Sequence, residues 1–355
     1  MKECYFADYT VGADAYGSIE RVCAPLGRRA VIIGGETALE KSAEKLKAAM
    51  RNFEIIDIAV YGKECYRANI SRLYDKYKDS GADFVVGAGG GKAIDTAKCL
   101  ADMLGVEVVT APTIASTCAA SSALAVIYDE SHVYEGFWYL KRPAFHCFID
   151  TDIIINAPDM YFRAGIGDTL AKYYEVEFSM RGRALTYRDE MGLSIARMCN
   201  TPLIAGAAGA LADCKKGAIS ERFETAALII LISTGMVSML IDGKYNGAAA
   251  HAFFYGLTVL PGFEEKFLHG DVVGYCVMVQ LMLDAKPNEA KKIGDLLRAM
   301  GVETTLAERG IEVSRENLDR VFDATLKDPD MEVVPYEITK DMLFDAVKAV
   351  EEMYE

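Results

Sequence analysis

The sequence predicts an α/β domain with a Rossmann-like parallel sheet over residues 1–157 and an all-helical domain over residues 158–355. In the first half, short β-rich runs alternate with helical patterns, which is typical of βαβ units. A glycine cluster directly follows one of these runs, as in loops that bind phosphate. From Met160 onward the apolar periodicity is helical almost throughout. A chain of 355 residues is long enough for two hydrophobic cores.

The order of elements follows from these alternations. Strands are predicted where β-branched and apolar residues cluster, and helices where apolar residues recur every three or four positions. The predicted strands are 30–33, 54–61, 82–87, 106–110, 123–128 and 144–155, with a polar turn at 129–131, and the predicted helices include 37–50, 66–77, 188–198 and 222–241.

Composition and charge exclude several classes of partner. A net charge of -14 argues against nucleic acid and anionic membranes, because both require clustered Lys and Arg. The N-terminus lacks the pattern of a signal peptide, and the longest apolar run, 226–240, is interrupted by Ser and Gly. Nine scattered cysteines without a C-x-x-C pair indicate free thiols in a reducing compartment. We therefore expect a cytoplasmic protein that acts on a small molecule.

The sequence Gly87-Ala-Gly-Gly-Gly-Lys-Ala-Ile-Asp-Thr-Ala-Lys98 joins a predicted strand to a helical pattern. Glycines allow a sharp turn and let a phosphate approach the backbone N–H groups at the start of a helix. Lys92 stands where the common sequence G-x-G-x-x-G has its third glycine. The segment therefore predicts a dinucleotide-binding loop of an unusual kind.

The helical half contains a possible set of metal ligands. Of the four histidines, His251 and His269 lie in this half, whereas His132 and His146 do not, and Asp168 begins a helical pattern. Carboxylate and imidazole are good ligands for Zn²⁺ or Fe²⁺. Each residue also has a structural interpretation, Asp168 as a helix N-cap and each histidine as a buried hydrogen-bonded side chain. Their wide spacing is not a local metal motif, so the residues alone leave both interpretations open.

Four segments follow one another along the chain: the glycine-rich sequence above, Ala111-Pro-Thr-Ile-Ala-Ser-Thr-Cys118, Gly165-Ile-Gly-Asp168 and Tyr255-Gly-Leu-Thr258. In this order they resemble the glycerol dehydrogenase branch of the iron-containing alcohol dehydrogenase family, over almost the whole chain. The resemblance implies an N-terminal dinucleotide-binding α/β domain and a C-terminal helical domain, a fold shared with dehydroquinate synthase. It implies an NAD(P)-dependent alcohol dehydrogenase with a catalytic divalent metal, forming a homo-oligomer.

The resemblance implies that Asp168, His251 and His269 bind the metal and act in catalysis through it. Many iron-dependent members have a further histidine four residues after the aspartate, where this chain has Lys172. A protonated lysine is not a ligand, so three protein ligands remain and leave an open position for substrate. This favours zinc, with iron or another divalent ion as the alternative.

The resemblance also implies a set of cofactor contacts. Three of the implied contact residues also have a structural interpretation. Leu124 and Tyr128 would then pack within a strand, and Lys92 would be a solvated lysine at the start of a helix. Asp95 and Lys98 are expected to hold the loop rather than to touch a ligand. The residues implied to surround the pyrophosphate are Gly89, Gly90, Gly91 and Lys92, and those along the cofactor or at its nicotinamide end are Thr113, Ser116, Ser122, Leu124 and Tyr128.

Coenzyme preference depends on the turn after the second predicted strand. Glycerol dehydrogenases have an aspartate near the position of Gly35, where an acidic residue binds the ribose diol and repels a 2′-phosphate. Here Glu36 stands beside that position, and no Arg or Lys lies in the turn. We therefore expect NAD, with NADP tolerated if Glu36 points away.

Cys118 is a departure from the glycerol dehydrogenases, which have an aspartate there that contacts a substrate hydroxyl. A thiol is a weaker acceptor than a carboxylate, and without the anion a negatively charged substrate is repelled less. The surrounding segments resemble the hydroxycarboxylate dehydrogenase members of the family, which reduce 2-oxo acids to 2-hydroxy acids. The alternative is that Cys118 is a small side chain with no part in choosing substrate.

Three other functions stay open. The chain is a glycerol or vicinal-diol dehydrogenase if Cys118 has no influence on substrate. A phosphate-eliminating enzyme resembling dehydroquinate synthase would be expected to have more histidines than four. A silent dinucleotide-binding protein would be expected to have lost a metal ligand, and all three candidates are present.

Overall fold

The computed structural model describes residues 3–130 and 134–355, so His132 and the end of the predicted turn at 129–131 lie outside the described residues. The chain divides into two compact units. The first consists of Met1–Asp159 and Lys216–Met239, and the second of Met160–Lys215 and Leu240–Glu355. The segment 216–239 therefore interrupts the helical domain that the sequence predicts for residues 158–355.

The first unit contains a six-stranded parallel sheet in the order β1-β8-β5-β4-β2-β3 and an antiparallel hairpin, β6-β7. The predicted parallel sheet is confirmed, although the edge strand β1 and the strand β7 were not expected. The strands are β1 (Asp8–Gly12), β2 (Arg29–Gly34), β3 (Glu54–Val60), β4 (Phe84–Gly89), β5 (Glu107–Pro112), β6 (Leu124–Tyr128), β7 (Tyr134–Tyr139) and β8 (His146–Asp150).

Helices cover both faces of this sheet. Along β4, Phe84 and Val86 pack in one hydrophobic cluster with residues of α1, α2 and α5, whereas Val85 packs in another with residues of α3 and α4. Strands buried on both faces are apolar at consecutive positions, which explains the apolar runs in the sequence. The helices are α1 (Ile19–Cys23), α2 (Glu36–Ala49), α3 (Arg67–Tyr77), α4 (Gly91–Leu104) and α5 (Thr151–Ile155).

The strand order places the glycine-rich loop where open α/β sheets bind ligands. Strand β3 lies on one side of β2 and strand β4 on the other. The direction in which successive parallel strands are added to the sheet therefore reverses at β2. Ligands of such sheets bind beyond the carboxyl ends of the strands at this reversal. Gly34 ends β2 so close to β4 that a Cβ would lie 2.6 Å from the Ala88 carbonyl oxygen.

The strand predicted at 144–155 is wrong in its second half. The strand ends at Asp150, whose side chain accepts a hydrogen bond from the Ile153 backbone N–H and caps α5. An apolar run is compatible with a strand or a buried helix, and the capping aspartate decides between them.

The second unit is helical. Its helices are α6 (Asp159–Met180), α7 (Tyr187–Ala196), α8 (Thr201–Lys215), α11 (Ala249–Leu257), α12 (Phe263–Lys266), α13 (His269–Leu283), α14 (Pro287–Ala299), α15 (Arg315–Lys327) and α16 (Lys340–Tyr354), whereas α9 (Glu221–Leu228) and most of α10 (Thr234–Leu240) belong to the first unit.

One π-helical turn, Ile229–Ser233, joins α9 to α10 and explains why this segment packs in the first unit. Its Leu231 carbonyl accepts a hydrogen bond from the Ser121 hydroxyl, and Gly235 provides the room that the Ser121 side chain requires. Within the described residues, Glu221–Leu240 is the one helical run long and apolar enough to cross a membrane by length and composition, and 61% of its apolar window is buried.

Candidate metal centre and cofactor loop

Three side chains of the second unit converge, each from a different helix: Asp168 on α6, His251 on α11 and His269 on α13. One potential ligand atom of each lies within 4.8 Å of the others. Asp168 Oδ1 is 3.6 Å from His251 Nε2 and 3.3 Å from His269 Nε2. The His269 ring packs edge-on against Phe254, with 4.3 Å between the ring centroids. The three residues form a group compact enough to share one cation.

Glycines set the close approach of α6 and α13. A Cβ on Gly270 would lie 1.8 Å from the Ala164 carbonyl oxygen, and a Cβ on Gly167 would lie 2.2 Å from the Gly270 carbonyl oxygen. Asp168 follows one of these glycines and His269 precedes the other, so the backbone contact brings the two ligands together. Asp168 lies well inside α6, so its interpretation as a helix N-cap is wrong.

His251 is held by Glu175, a fully buried carboxylate on α6 that the sequence analysis missed. Glu175 Oε2 lies 2.5 Å from His251 Nδ1. Glu175 Oε1 accepts hydrogen bonds from the backbone N–H groups of His251, at 2.8 Å, and Ala248, at 2.9 Å. The other ring nitrogen of His251 is therefore the one that faces Asp168.

The electrostatics of this group favour a bound cation. Burial alone would raise the pKa of Asp168, but hydrogen bonds with His251 and His269 hold it well below its usual range. Burial opposes a charge on His251, yet the Glu175 charge and the Asp168 hydrogen bond raise its pKa to about 10. The partly buried Asp168 and the fully buried Glu175 thus retain negative charge and attract a cation. A donor set of one carboxylate oxygen and two imidazole nitrogens suits a divalent metal.

Lys172 lies one helical turn after Asp168 on α6. Its Nζ donates a hydrogen bond to the Asn246 carbonyl oxygen at 3.0 Å and lies 3.4 Å from Asn246 Oδ1. The ammonium is thereby bonded to a backbone acceptor, and among the described residues the group that could hold a metal ion consists of Asp168, His251 and His269.

In the first unit, the glycine-rich loop joins β4 to α4. Gly89 ends the strand with φ of 145°, a conformation that favours glycine, and Gly90 is the N-cap of α4. A Cβ on Gly90 would lie 2.8 Å from Ile114 Cδ1, and one on Gly91 would lie 3.3 Å from Thr117 Oγ1. The loop is therefore packed tightly, with its N–H groups at the start of a 14-residue helix, a good setting for phosphate.

Asp95 and Lys98 were expected to hold the glycine-rich loop, but their contacts are with residues 119–126, which follow β5. Lys98 is completely buried, and its Nζ lies 2.8 Å from Asp95 Oδ1. The same ammonium donates to the carbonyl oxygens of Ala119, at 2.8 Å, and Leu124. Asp95 Oδ2 accepts a hydrogen bond from the Val126 backbone N–H at 3.0 Å.

Lys92 is not a freely solvated lysine. Its Nζ lies 2.5 Å from Glu64 Oε2 and 4.5 Å from the centre of the Tyr128 ring. The Glu64 side chain is almost fully buried, whereas that of Lys92 is 46% exposed. The ion pair and the aromatic ring fix the ammonium while leaving part of it accessible. This brings together two residues of the predicted cofactor set, Lys92 and Tyr128.

The other residues of the predicted cofactor set either lie beside the loop or are partly exposed, except for Ser122, which is buried. Thr113 lies beside the glycine loop, since its backbone N–H donates to the Gly89 carbonyl oxygen at 3.1 Å. Ser116 and Leu124 are partly exposed and available for contact. Ser122 is buried, and its hydroxyl lies 3.4 Å from Lys98 Nζ, so this side chain serves the internal network of the loop. Contact of these residues with a cofactor stays a prediction.

Cys118 begins a 3-10 turn, Cys118–Ala120, and is partly exposed. The turn is fixed by Thr110 Oγ1, which donates to the Ala120 carbonyl oxygen at 2.8 Å. Ser121, which follows the turn, is anchored on the Leu231 carbonyl of the π-helical turn. These two contacts hold the backbone at the end of the turn, two and three residues after Cys118.

Glu36 is the first residue of α2 and is exposed, after an N-cap at Gly35. Gly35 has φ of -76° and ψ of 153°, which any residue adopts. A Cβ there would have ordinary contacts, 3.7 Å to Tyr61 and 3.8 Å to Ala38. The turn therefore has room for an aspartate side chain at position 35, although the sequence has glycine there.

Four residues of these sites were missed by the sequence analysis: Glu175, Gly270, Glu64 and Ser121. Glu175 could have been suspected, because it lies two helical turns after Asp168 and therefore on the same face of α6. The other three act through contacts with residues distant in the sequence, and no local pattern marks them.

The glycine-rich loop on a parallel sheet and the Asp-His-His group are together the parts of a nicotinamide-linked, metal-dependent oxidoreductase. Residues 7–147 match the family model described as iron-containing alcohol dehydrogenase. The chain is 34% identical to hydroxycarboxylate dehydrogenase A of Escherichia coli (strain K12), over 91% of this chain and 89% of that protein. It is 33% identical to a glycerol dehydrogenase of Thermotoga maritima, over 97% of this chain and 94% of that one.

A solved structure supports the same conclusion. The structure of a probable glycerol dehydrogenase from Sinorhizobium meliloti 1021 has a TM-score of 0.87 and 29% identity, over 99% of this chain and 98% of that one. The chain belongs to the iron-containing alcohol dehydrogenase family. It is therefore an NAD(P)-dependent oxidoreductase of the alcohol dehydrogenase class that acts with a divalent metal.

Proposed function

We propose that this enzyme interconverts small 2-oxo acids and 2-hydroxy acids, with NAD as the coenzyme and zinc as the metal. The observation behind the proposal is Cys118, a thiol fixed at the start of a 3-10 turn where glycerol dehydrogenases have an aspartate. A neutral side chain there does not repel a substrate carboxylate, and it gives a polyol a weaker hydrogen-bond acceptor. The similarity to hydroxycarboxylate dehydrogenase A supports the same substrate class.

The metal fits the residues present in the second unit. Asp168, His251 and His269 would hold it, through one carboxylate oxygen and two imidazole nitrogens. When bound, the metal polarises the substrate oxygen and NAD supplies or accepts the hydride. Glu175 keeps His251 oriented, and the glycines of α6 and α13 keep Asp168 next to His269.

The cofactor fits the loop of the first unit. The pyrophosphate would lie beside Gly89, Gly90 and Gly91 at the start of α4, where backbone N–H groups favour an anion. Lys92 would add a positive charge held by Glu64 and Tyr128. Glu36 would favour the unphosphorylated ribose of NAD over NADP by charge repulsion. We further propose that Thr113, Ser116, Leu124 and Tyr128 line the cofactor.

A glycerol or vicinal-diol dehydrogenase is the second candidate function. The similarity to the glycerol dehydrogenase of Thermotoga maritima over almost the whole chain favours it. In that case Cys118 is a neutral substitution. A silent dinucleotide-binding protein is a poorer fit, because all three candidate ligands lie close enough to share a cation.

We also propose a cytoplasmic homo-oligomer that binds small molecules rather than nucleic acid or membranes. The net charge of -14 supports this exclusion of polyanionic partners. Light scattering of the purified protein tests the oligomer, and a single peak at the mass of one chain contradicts it.

The decisive experiment is NADH oxidation by the zinc-loaded enzyme with 2-oxobutyrate and, in parallel, with dihydroxyacetone. A higher kcat/KM for 2-oxobutyrate is the expected result. A higher kcat/KM for dihydroxyacetone assigns the enzyme to the polyol dehydrogenases. The metal content of the same preparation, measured by mass spectrometry, shows whether zinc, iron or another ion is bound.

A further inference from the structure

We infer that Glu175 is a positioning residue of the metal centre, which selects the nitrogen of His251 that faces the metal. The inference rests on the proposed metal site, and it goes beyond the ligand set because Glu175 itself is not one of the three converging side chains. Its evidence is the arrangement of hydrogen bonds between α6 and the start of α11.

Glu175 receives three donors while fully buried. Its Oε2 lies 2.5 Å from His251 Nδ1, and its Oε1 accepts from the backbone N–H groups of His251, at 2.8 Å, and Ala248, at 2.9 Å. The carboxylate is 0% exposed. The two backbone N–H groups can only donate, so Glu175 Oε1 is an acceptor, and an ionised carboxylate is the form that accepts at both oxygens.

The chemistry of a carboxylate then determines the imidazole. An ionised carboxylate only accepts hydrogen bonds, so His251 Nδ1 must hold the proton that it donates. The lone pair of a neutral His251 is thereby on Nε2, the nitrogen that lies 3.6 Å from Asp168 Oδ1. Partners of this kind typically contribute about 10- to 100-fold in metal affinity.

The same carboxylate also fixes where α11 begins. The N-cap residue of this helix is Ala248, which has no side-chain acceptor for the free N–H groups of the first turn. Glu175 accepts from two of the N–H groups at this end, and Gln280 Oε1 accepts from the Ala250 N–H at 3.0 Å. The start of the helix and the orientation of the His251 ring are therefore set together by one residue of the helix that also contains Asp168.

The experiment measures zinc affinity by chelator competition in the wild type, in Glu175→Gln and in Glu177→Gln. A glutamine is almost isosteric, but its amide nitrogen is a donor and cannot accept from Nδ1. Glu177 provides the matched control, since it lies on the same helix and is bonded to Arg181 and Lys286, away from the ligands. We expect zinc affinity to fall about 10- to 100-fold in Glu175→Gln and to stay unchanged in Glu177→Gln.

The visible absorption spectrum of the cobalt-loaded protein gives a readout that a loss of stability alone would not change. A shifted band in Glu175→Gln at saturating cobalt indicates altered coordination by His251. Zinc affinity within threefold of the wild type, with an unchanged cobalt band, overturns the inference.

If Glu175→Gln does not fold, a structure of the wild-type protein with zinc bound tests which nitrogen of His251 faces the metal. The inference requires Nε2 of His251 on zinc and Nδ1 within hydrogen-bond distance of Glu175. Coordination through Nδ1, or by Glu175 itself, overturns it while leaving the metal site in place. A wild-type protein that takes up no zinc or other divalent metal instead refutes the proposed site, and the inference with it.

Discussion

Gly167 and Gly270 meet backbone to backbone: a Cβ on Gly167 would lie 2.2 Å from the Gly270 carbonyl oxygen. Their sequence neighbours Asp168 and His269 are thereby held with Oδ1 and Nε2 3.3 Å apart. The geometry of the candidate metal centre therefore depends on two residues that have no side chain to offer a ligand. The spacing between α6 and α13 is fixed by contacts that any larger residue would break.

The variant Gly270→Ala is expected to lose both stability and metal affinity. Its Cβ would lie 1.8 Å from the Ala164 carbonyl oxygen, and overpacking of this kind costs about 1–3 kcal/mol or more. Gly206→Ala is the matched control, because Gly206 lies inside α8 with nothing within 4 Å of its Cβ position. Urea unfolding and zinc binding measure both effects, and similar behaviour of the two variants would contradict the role of the glycine contact.

The variant Lys98→Met is expected to destabilise the first unit by about 3–5 kcal/mol, because it leaves the buried Asp95 carboxylate without its ion-pair partner. The loss of hydrogen bonds to Ala119 and Leu124 should also loosen the loop and weaken NADH binding. Urea unfolding and NADH fluorescence titration measure the two effects. The double variant Lys98→Met with Asp95→Asn removes the unpaired charge and should recover part of the stability. No recovery would show that the ion pair is not the source of the loss.

Much of the sheet could be predicted from the sequence, because strands buried on both faces leave apolar runs that stand out. The predicted strand at 30–33 lies within β2 (Arg29–Gly34), and the helix predicted at 37–50 overlaps α2. The edge strand β1 (Asp8–Gly12) has no such run, since its residues are exposed or only partly buried. Its place in the sheet is set by pairing with β8 far along the chain, which no local pattern shows.

The metal centre was predictable only through resemblance. Asp168, His251 and His269 are distant in the sequence, and their convergence depends on the packing of three helices. Gly270 could not be assigned a role beforehand, because a close backbone contact between helices follows no spacing rule, whereas Glu175 could be suspected only from its place on the same face of α6 as Asp168. The helix predicted at 222–241 was broadly right, but the π-helical turn Ile229–Ser233 and its bond to Ser121 depend on tertiary contact.

The variant Gly35→Asp is expected to raise the preference for NADH over NADPH about tenfold, since a carboxylate there repels the 2′-phosphate. The structure has room for it, because the nearest atom to a Cβ at Gly35 is 3.7 Å away. The ratio of kcat/KM for the two coenzymes is the measurement. Gly35→Asn is the control of equal size without charge. Equal ratios in both variants would show that this turn does not contact the ribose.

The variant Cys118→Asp is expected to raise the ratio of activity on dihydroxyacetone to activity on 2-oxobutyrate about tenfold. A carboxylate accepts a strong hydrogen bond from a hydroxyl and repels the carboxylate of an oxo acid. Cys118→Asn tests size without charge, and the ratio of kcat/KM for the two substrates is the measurement. An unchanged ratio in Cys118→Asp would remove Cys118 from the choice of substrate.

Stability should depend on pH through His146, a buried residue of β8 whose Nε2 lies 2.9 Å from Thr10 Oγ1. Burial lowers the pKa of His146, an effect opposed by Asp8 and reinforced by Arg21. The unfolded chain then binds more protons than the folded one as the pH falls through the ordinary histidine pKa. The stability contributed by neutral His146 is present above that pKa and is lost towards the lowered folded pKa. Urea unfolding between pH 7.5 and 5 (roughly the range in which histidine titrates) should therefore show a steeper loss in the wild type than in His146→Gln. Parallel pH profiles would mean that His146 titrates alike in both states.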